Sequence, residues 1–367
     1  MKQILFSIVL LILTLIGGLV ATSAAVKRTD ISLGKDRSLS LLSQNIKWDP
    51  DGHISYVTFP NGSRTFFIPG NQSSYALTTS TPQSLEQALA HNASFNKIFG
   101  PDTNIPYRNY YATITSVLQT DPKNMYHLLA FTQYEQQAVR ADGTNDYQNF
   151  TSSIGLLESY DGGKTWKDFG PIIKGDDYIS PGLKVSGAGE PDAIINNGYV
   201  YVYFVDWAAS VKVSHPDQIY LARSKIYPDG GLGAFEFYTP SGFVTDDSNL
   251  QPVIKAQSGI GEYASLPSIS YNQYLGEFLA VYEGENGFYQ ATSSDGINWK
   301  NQKLFDSFIK PLSTRETGDV WFSYPTLLSD KNEPSDGLTS DTGNLYYGKG
   351  IWPNVAHQLT VMPYQFK

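Results

Sequence analysis

No cysteine occurs in the 367 residues. That absence excludes disulfide frameworks, thiolate nucleophiles, iron–sulfur centres and cysteine-based zinc sites. Charge is also scarce, at 17% Asp, Glu, Lys and Arg, against about 25% in an average domain. Acidic residues outnumber basic ones by 35 to 26, for a formal net charge of −9. Phosphate backbones need a basic surface, so this balance argues against a nucleic-acid partner. The five histidines (His53, His91, His127, His215, His357) show no two-residue ligand spacing. A Walker loop, a dinucleotide fingerprint and a Gly-x-Ser-x-Gly elbow are all missing. The sequence therefore calls for no cofactor and no metal. What it has is aromatic and apolar: 25 Tyr, 19 Phe and 6 Trp in a chain that is 41% hydrophobic. Such residues pack well on a pleated sheet.

Met1–Ala25 has the form of a secretory signal. Lys2 is a short basic start, Ile4 to Val20 is apolar apart from Ser7, Thr14, Gly17 and Gly18, and small residues from Ala21 to Ala25 offer a cleavage site. The alternative is an uncleaved anchor helix, the chain's one route to a membrane. A secreted, periplasmic or cell-envelope location follows, and an exported chain without cysteine suits a bacterial envelope or medium.

Residues 26–53 read as an N-terminal extension and 54–367 as a run of short β-rich segments broken by turn clusters. The segments fall into groups. Pro191-Asp192-Ala193, Pro267-Ser268-Ile269 and Pro325-Thr326-Leu327 each open one. Gly-marked turns at Asn197-Gly198 and Leu275-Gly276 lead into the aromatic strands that begin at Tyr199 and Phe278. Ser159-Tyr-Asp161-Gly-Gly163-Lys-Thr-Trp166 recurs 134 residues later as Ser293-Ser-Asp295-Gly296-Ile-Asn-Trp299. Four-stranded units repeated in this way predict an all-β, five-bladed β-propeller of antiparallel blades. The first group looks short, and residues 355–364 are expected to complete it as an outer or closing strand. A pair of β-sandwiches is the alternative. Leu85–His91 is the only stretch with a helical pattern.

The Ser159–Trp166 turn resembles the Asp-box of sialidases and related propellers. The openings Gly189-Glu190-Pro191-Asp192 and Glu262-Tyr-Ala-Ser-Leu-Pro267 resemble those of the five-bladed arabinanase/xylosidase and fructosidase superfamily. The Asp-box aspartates accept turn N–H bonds and the glycines permit positive φ, so these turns are structural. The resemblance implies a base on one blade, an orienting acid on the next and a proton donor on the third. Carried over in order, these are Asp102, Glu190 and Glu262. It also allows an axial cation, with His357 or His127 nearest.

Glycoside hydrolysis needs two carboxyl groups flanking one bond. A second set of acids lies at the ends of second strands: Glu135, Asp206 and Glu283 with Glu285. Ringed around one channel mouth, they would raise one another's pKa. Asp192 shares a strand face with Glu190. Arg108 and Arg315 are the candidate counter-charges, and Trp207 and Trp321, with Tyr107, Tyr110, Tyr111, Tyr263 and Tyr324, are platforms for a sugar ring. The substrate-binding set is thus Arg108, Glu135, Asp192, Asp206, Trp207, Glu283 and Trp321, and the expected partner is a glycan or oligosaccharide. The leading function is hydrolysis of a glycosidic bond by a carboxylate pair. The alternative is a non-catalytic glycan- or protein-binding propeller. A sialidase-type enzyme is disfavoured, because Arg108 is followed by Asn109-Tyr110 and not by Ile-Pro.

Overall fold

The computed structural model describes residues 29–39, 46–91, 95–139, 145–175, 185–207, 218–256, 263–307, 310, 314–354 and 356–367. The signal-like segment and Glu262 lie outside the described residues.

Two short strands, β1 (Ile31–Leu33) and β2 (Arg37–Ser38), precede the first antiparallel group. That group is β3 (Ser55–Thr58), β4 (Arg64–Gly70), β5 (Ser73–Thr79) and β6 (Phe95–Phe99), with helix α1 (Leu85–Ala90) between the last two. The helix starts where the sequence says it should. Ser84 Oγ accepts the Gln87 N–H while Gln87 Oε1 accepts the Ser84 N–H, a reciprocal cap. The second group is β7 (Tyr111–Leu118), β8 (Leu128–Val139), β9 (Asn145–Ser159) and β10 (Lys167–Lys174). The third is β11 (Val185–Asn196), β12 (Tyr199–Asp206), β13 (Gln218–Ile226) and β14 (Leu232–Thr239), edged by β15 (Gly242–Val244). The fourth is β16 (Ala264–Asn272), β17 (Glu277–Gly284), β18 (Gly287–Ser293) and β19 (Lys300–Asp306). The fifth takes β20 (Val320–Ser329), then β22 (Thr342–Ile351) and β23 (His357–Phe366), while β21 (Leu338–Thr339) leaves to pair with β16. Its fourth strand is β1, antiparallel to β23.

One expectation fails here. The first group is complete without help, its outer strand being β6, and β23 belongs to the fifth. A helical interlude before β6 hid that strand from a periodicity count.

Alternation within the strands builds the ring. In β12, Val200, Val202 and Phe204 enter a core shared with the second blade. Tyr201, Tyr203 and Val205 enter one shared with the fourth, as a period of two requires. Three further cores join blades four and five, five and one, and one and two. The fifth blade's Leu328, Tyr346, Leu359 and Val361 pack on the first blade's Ile54, Tyr56 and Phe66, so the circle closes. The chain is a five-bladed β-propeller.

The innermost strands are tied in the same cyclic order. Val117 N–H donates to Ser55 Oγ (3.0 Å), Ala193 N–H to Ser116 Oγ (3.0 Å) and Ile269 N–H to Asp192 Oδ2 (2.5 Å). Leu327 N–H donates to Ser268 Oγ (3.2 Å) and Ile54 N–H to Thr326 Oγ1 (3.1 Å). These bonds satisfy buried N–H groups where neighbouring sheets splay apart. Serine or threonine does this four times and Asp192 once.

The two matched turns also bind themselves. Asp161 Oδ1 accepts the N–H groups of Lys164 and Thr165, and Asp295 Oδ1 those of Ile297 and Asn298. Gly163 has φ +86°, and a Cβ there would stand 2.7 Å from the Phe67 ring of blade one. Gly163→Ala is therefore expected to lower stability by about 1–3 kcal/mol. A thermal midpoint equal to the wild type would show that this turn does not clamp the two blades.

Candidate active site

At three places the inner strands are deformed in the same way. Glu190, Leu266 and Tyr324 have left-handed φ values of +51°, +52° and +59°, each precedes a proline, and each sits at a register shift against the second strand of its blade. A residue with a Cβ is uncommon in this region and costs energy to hold there. All three side chains line one cavity of about 330 Å³. Its other walls are Gln133, Glu135, Phe150, Trp207, Tyr263, Ser265 and Glu283. It lies where the inner strands begin. At the opposite end of the ring, the chain between β20 and β22 crosses under it. Thr58 N–H bonds to Pro334 O and Tyr271 N–H to Gly337 O, which links blades one and four beneath the axis.

Glu135, Glu190 and Glu283 are between 6% and 9% exposed. Burial pushes the Glu135 carboxyl up to about 8, with Asp51 adding to it and a hydrogen bond from Gln133 opposing it. Burial raises Glu283 to about 7 against hydrogen bonds from Ser323 Oγ (2.6 Å) and Tyr263 Oη (3.1 Å) and the charge of Arg315. Glu190 is driven well above the ordinary range by burial first, then by Asp51, Glu135 and Glu283 together. These are the two ways of keeping a carboxyl protonated near neutrality, desolvation and like charge.

Asp51 is the group that sequence reasoning missed. It follows Pro50 on the approach to the first inner strand, and its half-buried carboxyl acts on Glu190, Glu135, Tyr111 and Tyr324. Burial raises it, while His357, the Gln72 N–H and the Tyr324 hydroxyl pull it back. Its segment, Asp49-Pro-Asp51-Gly52, reads from sequence as an incomplete calcium loop. The signal available was position: it is the acid just ahead of the first group's opening strand.

The other expected residues divide. Glu135, Glu190, Trp207 and Glu283 are brought together, with Tyr263 and Tyr324 from the aromatic set. Asp102 is elsewhere. Its Oδ1 accepts the Asn104 N–H and side-chain amide, holding its own turn. Arg108 is used structurally: Nε lies 3.1 Å from Asp168, Nη1 donates to Gly100 O, and the guanidinium covers Phe99. Asp206 is buried opposite Ala188 in the β11–β12 ladder and does not line the cavity. Trp321 donates to Asn354 O and packs its ring edgewise on His357. Asp192 belongs to the inter-strand tie and is fully buried.

Asp192 also completes the one His/Asp/Glu group among the described residues that fits a metal ion, with His53 and Asp336. The His53 ring nitrogens lie 3.7 Å from Asp192 Oδ2 and 3.4 Å from Asp336 Oδ2, and neither makes a hydrogen bond. Burial holds His53 down at about 4 and both aspartates up at about 7. Two buried carboxyls and an unbonded imidazole suit the axial cation that the family resemblance allows, which would supply positive charge beneath the cavity floor. His127 and His357 are engaged elsewhere, with Glu158 and Pro50 O.

A pH dependence of stability follows. The folded chain holds protons on Glu135, Glu190 and Glu283 that the unfolded chain releases, so stability falls as pH rises from about 4.5 through 7 to 8. His53 works in the opposite sense, but its contribution is complete above 6.5. Between pH 6.5 and 8 the thermal midpoint is expected to fall, and to fall less in Glu135→Gln. A flat midpoint across that interval would mean these carboxyls are not held protonated.

No protein-family model and no curated protein sequence matches the chain. Solved structures do. The catalytic domain of a Coprinopsis cinerea GH62 α-L-arabinofuranosidase aligns at 12% identity over 92% of this chain and 97% of its own, with a TM-score of 0.51. The α-L-arabinofuranosidase PaAbf62A from Podospora anserina, in complex with cellotriose, aligns at 14% identity over 90% and 95%, with a TM-score of 0.52. At such identities the likeness is one of fold: the chain has the five-bladed propeller fold of glycoside hydrolases.

Proposed function

We propose that the protein is an exported glycoside hydrolase whose reaction centre is the cavity around Glu190. The observation that carries this is the convergence of Glu135, Glu190 and Glu283 on one aromatic-walled cavity at the axis, with Asp51 near enough to act on Glu190 and Glu135. Acid–base cleavage of a glycosidic bond needs one carboxyl that keeps its proton and one that has lost it. Glu190 meets the first need, since three acids act on it and no described residue donates a hydrogen bond to its carboxyl. Asp51 is assigned the second: burial raises it, but it alone of the four is opposed by His357 and by hydrogen bonds from both Gln72 N–H and the Tyr324 hydroxyl, contacts that favour the anion. Glu190 is thus assigned as the acid, not the orienting residue, and Asp51 as base or nucleophile in place of Asp102. Glu283 and Glu135 are left to hold sugar hydroxyls, with Trp207 and Tyr263 as ring platforms. Among the described residues the cavity lining holds no Arg or Lys to pair with an anionic sugar, which favours an uncharged glycan over a sialoside. The Lys2–Ala25 pattern supports export.

Incubation of the mature chain with plant, fungal and bacterial polysaccharides, with product analysis and calorimetric binding side by side, tests this. Release of sugar supports the proposal. Binding without release favours the glycan-binding propeller, and neither would remove the glycan assignment.

A further inference from the structure

Gln133 lies in β8, two residues before Glu135 and on the same strand face. It is 3% exposed, and both ends of its amide are engaged. Oε1 accepts the backbone N–H of Glu190 at 2.6 Å, and Nε2 donates to Glu135 Oε1 at 2.9 Å. The amide orientation is fixed by this pairing, because an N–H can only meet the carbonyl end. Gly189 makes the approach possible: a Cβ there would stand 2.8 Å from Gln133 Oε1 and 2.6 Å from the Trp207 ring. One amide thus reaches across from blade two to a backbone held at φ +51° in blade three, and ends on a second cavity carboxyl.

From this geometry we infer that Gln133 is a positioning residue for the reaction centre, locking the left-handed turn that aims Glu190 into the cavity and fixing the Glu135 carboxyl beside it. The inference rests on the proposed hydrolase function for its kinetic consequences, but not for its structural ones. An amide donor stabilises a carboxylate more than a carboxylic acid, so losing the bond from Gln133 Nε2 would make Glu135 harder to ionise. The groups that act with Gln133 on Glu135 are Asp51 and Glu190, with Tyr111 and Ser152 beside it in the flanking strands and the Tyr324 hydroxyl across the cavity. None of these is a cation, so the amide is the attractive partner that Glu135 has among them.

Two variants separate the roles. Gln133→Met keeps the side-chain length but removes both bonds. Gln133→Glu keeps an oxygen for the Glu190 N–H and, once ionised, replaces the donor to Glu135 with an acceptor. The primary readout is the titration of Glu135, followed by ¹³C NMR of carboxyl-labelled glutamate and assigned with Glu135→Gln. An upward shift of about one pH unit is expected in both variants, with the thermal midpoint below pH 6 lowered in Gln133→Met and near the wild type in Gln133→Glu. With a substrate in hand, kcat is expected to fall about 10- to 100-fold in both, with KM changed less than threefold. An unshifted Glu135 titration in both folded variants overturns the inference, whatever the protein hydrolyses. A shift in a chain that hydrolyses nothing would leave the positioning role standing and remove the hydrolase proposal alone.

Discussion

Glu190→Gln is expected to cut glycoside turnover by about 10³-fold, the scale of a lost general acid, without unfolding the chain. Glutamine has the same length, tolerates the same backbone conformation and carries no proton to give. Removing the carboxyl also removes the need to hold a buried acid neutral. Because Glu190 titrates above its ordinary range when folded, the variant should match the wild type in thermal midpoint near pH 5 and exceed it near pH 8. A structural acid would behave differently, with activity and stability falling together. Retained activity in Glu190→Gln would remove Glu190 from the chemistry.

Asp51→Asn is expected to be as damaging, with a loss of about 10²- to 10⁴-fold in kcat. It has a second, separable effect. The Asp51 charge raises Glu190, Glu135, Tyr111 and Tyr324 alike. Taking it away makes the remaining carboxyls easier to ionise, so the alkaline limb of the residual pH–rate profile should move to lower pH. The profile measured on a reactive aryl glycoside reads this directly. A loss of that size with an unmoved limb in the residual profile would mean that Asp51 is not electrostatically joined to the acid.

The fold was largely legible because its determinants are local. Strand alternation, the prolines at 191, 267 and 325 and the paired Ser-x-Asp turns are each set by a few neighbouring residues, and their repetition announces blades. Closure was less so. That β1 supplies the fifth blade's outer strand depends on a contact between the two ends of the chain, which no local pattern encodes.

The site was legible only in part, for the same reason. Glu135 and Glu283 could be placed because equivalent strand ends fall at equivalent points of a repeat. Glu190 could be placed because it precedes a blade-opening proline. The proline mark is also what makes Leu266 and Tyr324 its counterparts, a correspondence visible once their shared left-handed backbone is known. Asp51 lies before the first blade's opening strand, in a segment with turn-like composition. Asp102 has an equally turn-like composition. Composition could not choose between two Pro-Asp steps; what distinguishes them is which one faces the other three acids. For Arg108 and Asp192, a charge in a propeller's inner region invites a ligand-contact reading. The structure spends one on Asp168 and Gly100 and the other on the tie to β16.

The most direct test of the account is the rate of nitrophenol release from a panel of uncharged nitrophenyl glycosides, furanosides and pyranosides of both anomers, by the protein beside its Glu190→Gln variant. The account predicts turnover of at least one member by the wild type and its loss in the variant. No turnover of any member by a folded wild type, or equal turnover by both proteins, would contradict it.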